Sequence, residues 1–106
     1  MEPTDFAKYL TRFFTEYLVC ERGASNNTIR SYSNTFTYLL AFMAEKEHIK
    51  PETLSLDCFD RKVVLRFLEW LQTERQCGNA TRNQRLAALH SFFRYMQYED
   101  VKRIAR

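Results

Sequence analysis

Six arginines lie in two stretches of the chain that contain no acidic residue. Neither residues 22–44 nor residues 75–98 include Asp, Glu or Lys. The arginines are Arg22, Arg30, Arg75, Arg82, Arg85 and Arg94. They give the two stretches a charge of +6, whereas the rest of the chain has 10 basic and 13 acidic residues, which restores the net charge of +3. Because a phosphate backbone attracts such local positive charge, the pattern favours binding to nucleic acid.

Residues suited to contacting bases line one side of residues 75–98. On a helical wheel, the side facing away from Leu86, Leu89 and Phe93 has no acidic residue and several short side chains. This face consists of Asn83, Gln84, Ala87, Ser91 and Arg94. Short side chains let a helix enter the major groove, Asn and Gln pair with adenine, and Arg contacts guanine or phosphate.

The other acid-free stretch has an outer face of the same kind. It consists of Asn27, Arg30, Asn34, Thr37 and Ala41. Polar residues also cover any solvated helix, and for a single residue this ordinary explanation is the more common one. Solvated faces, however, usually mix Glu and Lys at i,i+4 spacing, and neither stretch does so.

Two predicted helices precede the middle of the chain. The first follows Thr4 or Asp5, either of which can cap it, and carries an apolar stripe to Cys20 before it ends near Gly23. The second opens with Ser25 as its N-cap and ends before residues 46–51. The free N–H groups at its start, and those at residues 79–81, can both cap the helices and bind phosphate oxygens.

Two further helices complete the predicted fold. The third spans roughly residues 59–76 behind Asp57, places Trp70 in the core and has the ordinary mixed charge on its outer side. The fourth begins at Thr81, whose spacing to Gln84 fits a capping box. No strand pattern is present, so we expect an all-α, compact bundle of four helices, with residues 101–106 as a candidate short fifth piece.

Composition limits the other classes of protein. A chain of 106 residues with 45% apolar residues is long enough for one domain with its own core, and no apolar run could span a membrane. The first residues lack the features of a secretory signal, so we expect a cytoplasmic protein without a membrane partner. The cysteines Cys20, Cys58 and Cys77 and the two histidines are isolated from one another, so we expect structural thiols, no metal and no cofactor.

Catalytic arrangements are also missing from the sequence. There is no nucleophile with its base and no glycine-rich phosphate loop. Asp57 and Asp60 have the spacing of helix caps rather than that of a catalytic pair. We therefore expect no enzymatic activity from this chain.

Two segments resemble a known family. Residues 25–32, Ser-Asn-Asn-Thr-Ile-Arg-Ser-Tyr, continuing to Phe36, Leu39 and Phe42, resemble the second helix of the core-binding domain of tyrosine recombinases, the phage integrase family. Residues 81–96, from Thr81-Arg82-Asn83-Gln84-Arg85 to Tyr95-Met96, resemble the fourth helix of that domain. The resemblance covers residues from about 6 to 99.

This resemblance implies a SAM-like helical domain that clamps duplex DNA at a recombination site together with a separate catalytic domain. In such clamps the second and fourth helices lie against the major groove. The family's catalytic residues belong to the other domain, so none of the six tyrosines here is expected to be a nucleophile. Gln84 and His90 stand where the family often has a basic residue, which gives less support to phosphate contact at those two positions.

We therefore predict that residues 1–106 form a single non-catalytic DNA-binding domain of a site-specific tyrosine recombinase from a mobile element. Its expected partners are double-stranded DNA, the C-terminal catalytic domain of the same parent protein and other recombinase protomers. The predicted DNA contacts are Thr28, Arg30, Asn34, Thr81, Arg82, Asn83, Arg85, Ser91 and Arg94. Arg82 and Arg85 lie near the edge of the buried stripe and suit phosphate contact, whereas Arg30 and Arg94 suit contact with bases.

Two alternatives remain open at this point. The acid-free faces would also suit a helical protein-interaction module that binds an acidic partner. A compact regulator with a helix-turn-helix is a further alternative, although the long helices and the lack of a tight two-helix unit argue against it.

Overall fold

Four α-helices account for most of the structure, a computed structural model that describes residues 4–76 and 78–104. They are α1 (Asp5–Arg12), α2 (Asn26–Glu45), α3 (Arg61–Thr73) and α4 (Asn79–Ile104). A π-helical segment, Phe13–Glu21, continues α1, and two 3-10 turns, Pro51–Thr53 and Leu56–Cys58, connect α2 to α3. The described residues include no strand. The predicted all-α bundle of four helices is confirmed.

The first helix changes its hydrogen-bonding pattern at Phe13. Thr4 caps α1 as predicted, since its Oγ1 accepts a hydrogen bond of 3.2 Å from the N–H of Ala7. In the π-helical segment each N–H bonds to the carbonyl five residues earlier, so the buried positions are Phe13 and Leu18, five residues apart. The prediction that Cys20 lies on the buried stripe is therefore wrong, because the wider turn leaves its side chain exposed.

The ends of the first two helices follow the same geometry. Gly23 has a φ of +60°, and the N–H of the next residue, Ala24, donates to the carbonyl of Leu18 at 2.8 Å. After α2, His48 has a φ of 59°, and the N–H of Ile49 donates to the carbonyl of Met43 at 2.9 Å. Both are helix ends closed by one residue in the left-handed conformation.

Ser25 is the N-cap of α2, as predicted. Its Oγ accepts from the N–H of Thr28 at 3.2 Å and donates to the Oγ1 of the same residue at 3.0 Å. The helix then ends at Glu45, ahead of the break predicted at residues 46–51. A local cap and a local break thus fix both ends of this helix.

The third helix starts later than predicted. Asp60 is its N-cap, because its Oδ1 accepts a hydrogen bond of 2.9 Å from the N–H of Val63. Asp57, the predicted cap, lies instead in the second 3-10 turn. Trp70 is 4% exposed, which confirms its predicted place in the core.

The fourth helix is longer at both ends than the sequence suggested. It begins at Asn79, and the N–H of Arg82 donates to the carbonyl of Gly78 at 2.9 Å, so Thr81 lies within the first turn rather than at the cap. The piece predicted at 101–106 is not a separate element, because α4 continues through Ile104. Residues 105–106, like Cys77, lie outside the described residues.

The core that holds α4 in place is rich in aromatic rings. Phe92, which has no exposed surface, packs with its ring centroid 5.7 Å from Phe6, 5.4 Å from Phe13 and 5.3 Å from Phe36. These three rings come from α1, the π-helical segment and α2. One face of α4 is thereby fixed against all three elements, and its opposite face is directed outward.

Candidate nucleic-acid interface

The outer faces of α2 and α4 meet in a shallow cavity near the starts of both helices. The cavity has a volume of about 360 Å³. It is lined by Asn27, Thr28, Ser31 and Tyr32 of α2 and by Gln84 and Ala87 of α4. Residues from the two predicted binding faces, Asn27 and Gln84, therefore lie on one surface of the molecule.

A second cavity of about 520 Å³ adjoins the first. Tyr32 and Ala87 line both cavities, which makes them one continuous surface. The second cavity is completed by Tyr17, Arg22, His90, Ser91 and Arg94. We call the two cavities together the α2–α4 groove.

Two predicted contacts on α2, Arg30 and Asn34, do not line this groove. Arg30 and Asn34 are exposed, and they follow Asn27 by three and seven residues, which places all three on one helix face. On α4, Asn83, His90 and Arg94 are exposed and share a face by the same spacing. The outward orientation predicted for Arg30, Asn34, Asn83 and Arg94 is confirmed.

Ser91 differs from this prediction. It was expected on the outer face of α4, but it is buried, with 9% of its surface exposed. Its Oγ accepts a hydrogen bond of 3.1 Å from Nη1 of Arg22, a residue of the loop before α2. Ser91 lies on the flank of α4 that faces other elements, and a helical wheel of α4 alone does not show those neighbours.

Arg85 is positioned between α4 and α2. Its Nη1 donates to the carbonyl oxygen of Ser31 and to the Oγ1 of Thr35, both at 3.2 Å, and its guanidinium lies 5.1 Å from the ring centroid of Tyr38. Its side chain is half-buried, as expected for a residue at the edge of the apolar stripe. Part of its hydrogen-bonding capacity is therefore used inside the protein.

Arg82 lies on the other flank of α4. It lines an apolar cavity of about 490 Å³ between α3 and α4 together with Phe59, Leu68 and Phe93. Its Nε is buried and has no hydrogen-bond partner among the described residues.

The two predicted threonine contacts are both half-buried. Thr81 precedes Arg82 in α4, and Thr28 lies at the start of α2. The predicted contacts thus extend from the α2–α4 groove over α4 to its α3 side.

The ion pairs of the described protein leave out the arginines of the two acid-free stretches. The ion pairs among the described residues join Arg12 to Glu16 and Glu99, Lys46 to Glu74, and Arg66 to Glu47. All three basic residues belong to the parts of the chain that contain acidic residues. Within residues 4–76 and 78–99, no carboxylate pairs with any of the arginines at positions 22, 30, 75, 82, 85 and 94. Their charge is therefore not neutralised within the described protein.

Arg22 lines the groove but was missing from the predicted contacts. Arg22 opens the first acid-free stretch, but it stands in the loop next to Gly23, so a wheel drawn for either neighbouring helix leaves it out. In the sequence, only its position in an acid-free stretch indicated that Arg22 could contact DNA. Ser91 was itself a predicted DNA contact, but its hydrogen bond with Arg22 and the place of Tyr32 in the same cavity could be found only from the fold.

Among the described residues, no three His, Cys, Asp or Glu side chains come together in a way that could hold a metal ion. No helix in the described part of the chain is long and apolar enough to cross a membrane.

Comparison with known proteins places this architecture in a family. Residues 12–100 match the family described as phage integrase, N-terminal SAM-like domain. The chain belongs to this family. The match includes α2, α3 and most of α4, and therefore every residue of the α2–α4 groove.

Individual relatives agree with the family assignment. Two Sinorhizobium fredii proteins named as candidate integrase/recombinases, y4rC and y4rD, are 38% identical over 93 residues and 37% identical over 94 residues. The matches cover 88% and 89% of this chain but 28% and 34% of the relatives. The tyrosine recombinase XerD of Listeria monocytogenes is 33% identical over 89 residues, covering 81% of this chain and 27% of XerD.

This chain therefore spans about a third or less of the length of the curated relatives it matches. No solved structure matches it significantly.

Proposed function

We propose that this domain binds double-stranded DNA at the recombination site of a tyrosine recombinase, with α2 and α4 lying along the major groove. One observation carries the proposal: the acid-free outer faces of α2 and α4 meet in one groove, and no described carboxylate forms an ion pair with Arg22 or Arg94, the two arginines that line it. Unpaired guanidinium groups on one surface provide the charge that phosphate contacts require.

Other side chains on the same two helices suit a contact with bases. Asn27, Asn34 and Asn83 are exposed amides on the two helices, and Ala87 keeps the centre of the groove shallow. Amides pair with adenine edges, and a small residue lets the helix backbone approach the DNA closely. The proposal therefore assigns base contacts to these amides and phosphate contacts to the arginines that line the groove.

The proposal extends to the parent protein. DNA cleavage and rejoining would be performed by a C-terminal catalytic domain, while this domain and that one hold the duplex from two sides. Other protomers would occupy the neighbouring half of the recombination site. These roles agree with the tyrosine recombinases, to whose N-terminal domain family residues 12–100 of the chain belong.

A salt titration with duplex DNA tests the proposal. If the domain neutralises about six phosphates, the logarithm of the association constant should fall against the logarithm of salt concentration with a slope of about −5. Fluorescence anisotropy of a labelled duplex gives this slope directly. A flat salt response, or no binding at low salt, would contradict the proposal and favour an acidic protein partner.

A further inference from the structure

The larger cavity of the α2–α4 groove brings together two arginines that are far apart in the sequence. Arg22 comes from the loop before α2, and Arg94 from the middle of α4. The described residues lining the cavity include no carboxylate; the other lining residues are Tyr17, Tyr32, Ala87, His90 and Ser91. A cavity with two cationic groups and no anionic one is a site for an anion.

One of the two guanidinium groups is held in a fixed orientation. Nη1 of Arg22 donates a hydrogen bond of 3.1 Å to the Oγ of Ser91, and only 9% of the surface of Ser91 is exposed. A guanidinium has five N–H donors in a planar fork, so one bond to a buried hydroxyl orients the group and leaves donors for a bidentate contact. Arg22 itself remains exposed.

We infer that this cavity binds one phosphate group of the DNA backbone, with Arg22 and Arg94 as its ligands and Ser91 as the residue that positions Arg22. The inference rests on the proposed function and adds a contact to it. The cavity continues into the shallower one through Tyr32 and Ala87, so a duplex lying along α2 and α4 brings its backbone to the opening. Bidentate donors match the two free oxygens of a phosphodiester.

The structure also explains why Ser91 belongs to the binding surface despite its burial. Only 9% of the surface of Ser91 is exposed, but its hydroxyl holds the guanidinium of Arg22 in the same cavity. Its effect on DNA binding should therefore depend on Arg22. This dependence separates a positioning role from a general contribution to the stability of α4.

The first test compares Arg22→Ala with a variant that loses the same charge elsewhere. Lys62→Ala is a suitable control, because Lys62 is exposed on the outer side of α3. Arg22→Ala should reduce the affinity for a duplex about tenfold at low salt and make the salt slope less steep by about 1. Lys62→Ala should change the slope by much less. Equal changes in both variants, or an unchanged slope in Arg22→Ala, would overturn the inference.

A double-mutant cycle tests the role of Ser91. Ser91→Ala should weaken duplex binding severalfold while keeping the wild-type salt slope, because the charge of Arg22 is still present. In the Arg22→Ala background the same substitution should have no further effect on affinity. Additive losses would show that Ser91 acts independently of Arg22 and would overturn the positioning role.

Arg22→Lys tests the bidentate contact. It should keep the salt slope but not the full affinity, since an ammonium cannot form a fork.

A titration with inorganic phosphate distinguishes the two possible sources of the bound anion, the DNA backbone and a free phosphate compound. In an NMR titration, a duplex should shift the backbone amides of Arg22 and Arg94 at micromolar concentration, and inorganic phosphate should not do so at matched ionic strength. Saturable binding of inorganic phosphate, with an unchanged duplex affinity in Arg22→Ala, would mean that the cavity takes a free phosphate compound instead. If the wild-type chain binds no duplex at all, the proposed function fails together with this inference; if it binds and only the Arg22 effects are missing, the inference alone fails.

Discussion

Arg85 and Thr35 form a buried link between the two helices of the proposed interface. Nη1 of Arg85 on α4 lies 3.2 Å from the Oγ1 of Thr35 on α2, and Thr35 has no exposed surface. The same nitrogen donates to the carbonyl oxygen of Ser31. This arginine thus joins α4 to α2 in addition to the packing of Phe92 against Phe36.

Removing this link should destabilise the fold. Arg85→Ala loses two hydrogen bonds from a charged donor and the contact with the ring of Tyr38, so we expect a loss of about 2 kcal/mol in the free energy of unfolding. Urea unfolding measures the change. Arg30→Ala, at an exposed position on α2, serves as the control and should stay within about 0.5 kcal/mol of the wild type. Equal stability of both variants would contradict the structural role of Arg85.

Different side chains of α4 should affect DNA binding in different ways. Arg82 lies on the α3 flank and does not line the groove, so its predicted contact is with phosphate, and Arg82→Ala should weaken binding to all duplexes alike. Arg94→Ala removes a ligand of the proposed phosphate and should also weaken binding to all duplexes, whereas Asn83→Ala removes an exposed amide and should cost about 1–3 kcal/mol, mainly on the cognate sequence. Anisotropy with a random duplex and with one selected from a randomised pool measures both effects. Equal losses on the two duplexes for all three variants would contradict the division between base contacts and phosphate contacts.

The elements that could be predicted from sequence are those fixed by local interactions. Thr4 and Ser25 cap their helices through bonds that span three residues, and such bonds are visible in the order of the residues. The start of α3 was missed because Asp57 and Asp60 both have the chemistry of a cap. Which of the two is the cap depends on a 3-10 turn that includes Asp57. That turn packs against the start of α1, where the N–H of Leu56 donates to Oδ1 of Asp5 at 3.0 Å.

The candidate site was predictable in part for the same reason. Exposed residues in the middle of a helix face, such as Asn34 and Arg94, follow from helical periodicity. Cys20 was misplaced because periodicity assumes α-helical bonding, and the π-helical segment departs from it. Ser91 and Arg22 meet across 69 positions of sequence, and that contact depends on how the helices pack.

The left-handed residues at two helix ends should respond in opposite directions to substitution. Gly23 has a φ of +60°, and a Cβ placed there meets no atom within 4 Å, so the cost of Gly23→Ala comes from the backbone and should be about 1 kcal/mol. His48 adopts nearly the same conformation without the freedom of glycine, so His48→Gly should stabilise the fold by about 0.5 kcal/mol. Thermal and urea unfolding check both signs. Stabilisation by Gly23→Ala or destabilisation by His48→Gly would show that these turns are not held as described.

Stability at high pH should depend on Tyr95. Its side chain is 2% exposed, and burial, followed by the nearby carboxylate of Glu99, raises the pKa of its phenol to about 12. The unfolded chain releases this proton near pH 10, so the folded state holds the proton more tightly. The free energy of unfolding should therefore fall by up to about 2 kcal/mol as the pH rises from 10 to 12.

Tyr95→Phe has no phenol proton to lose and should show a smaller decline over that range. Tyr98→Phe, on the same helix but at a position that is 50% exposed, is the control and should follow the wild type. If Tyr95→Phe declines as steeply as the wild type, the phenol of Tyr95 does not couple folding to pH.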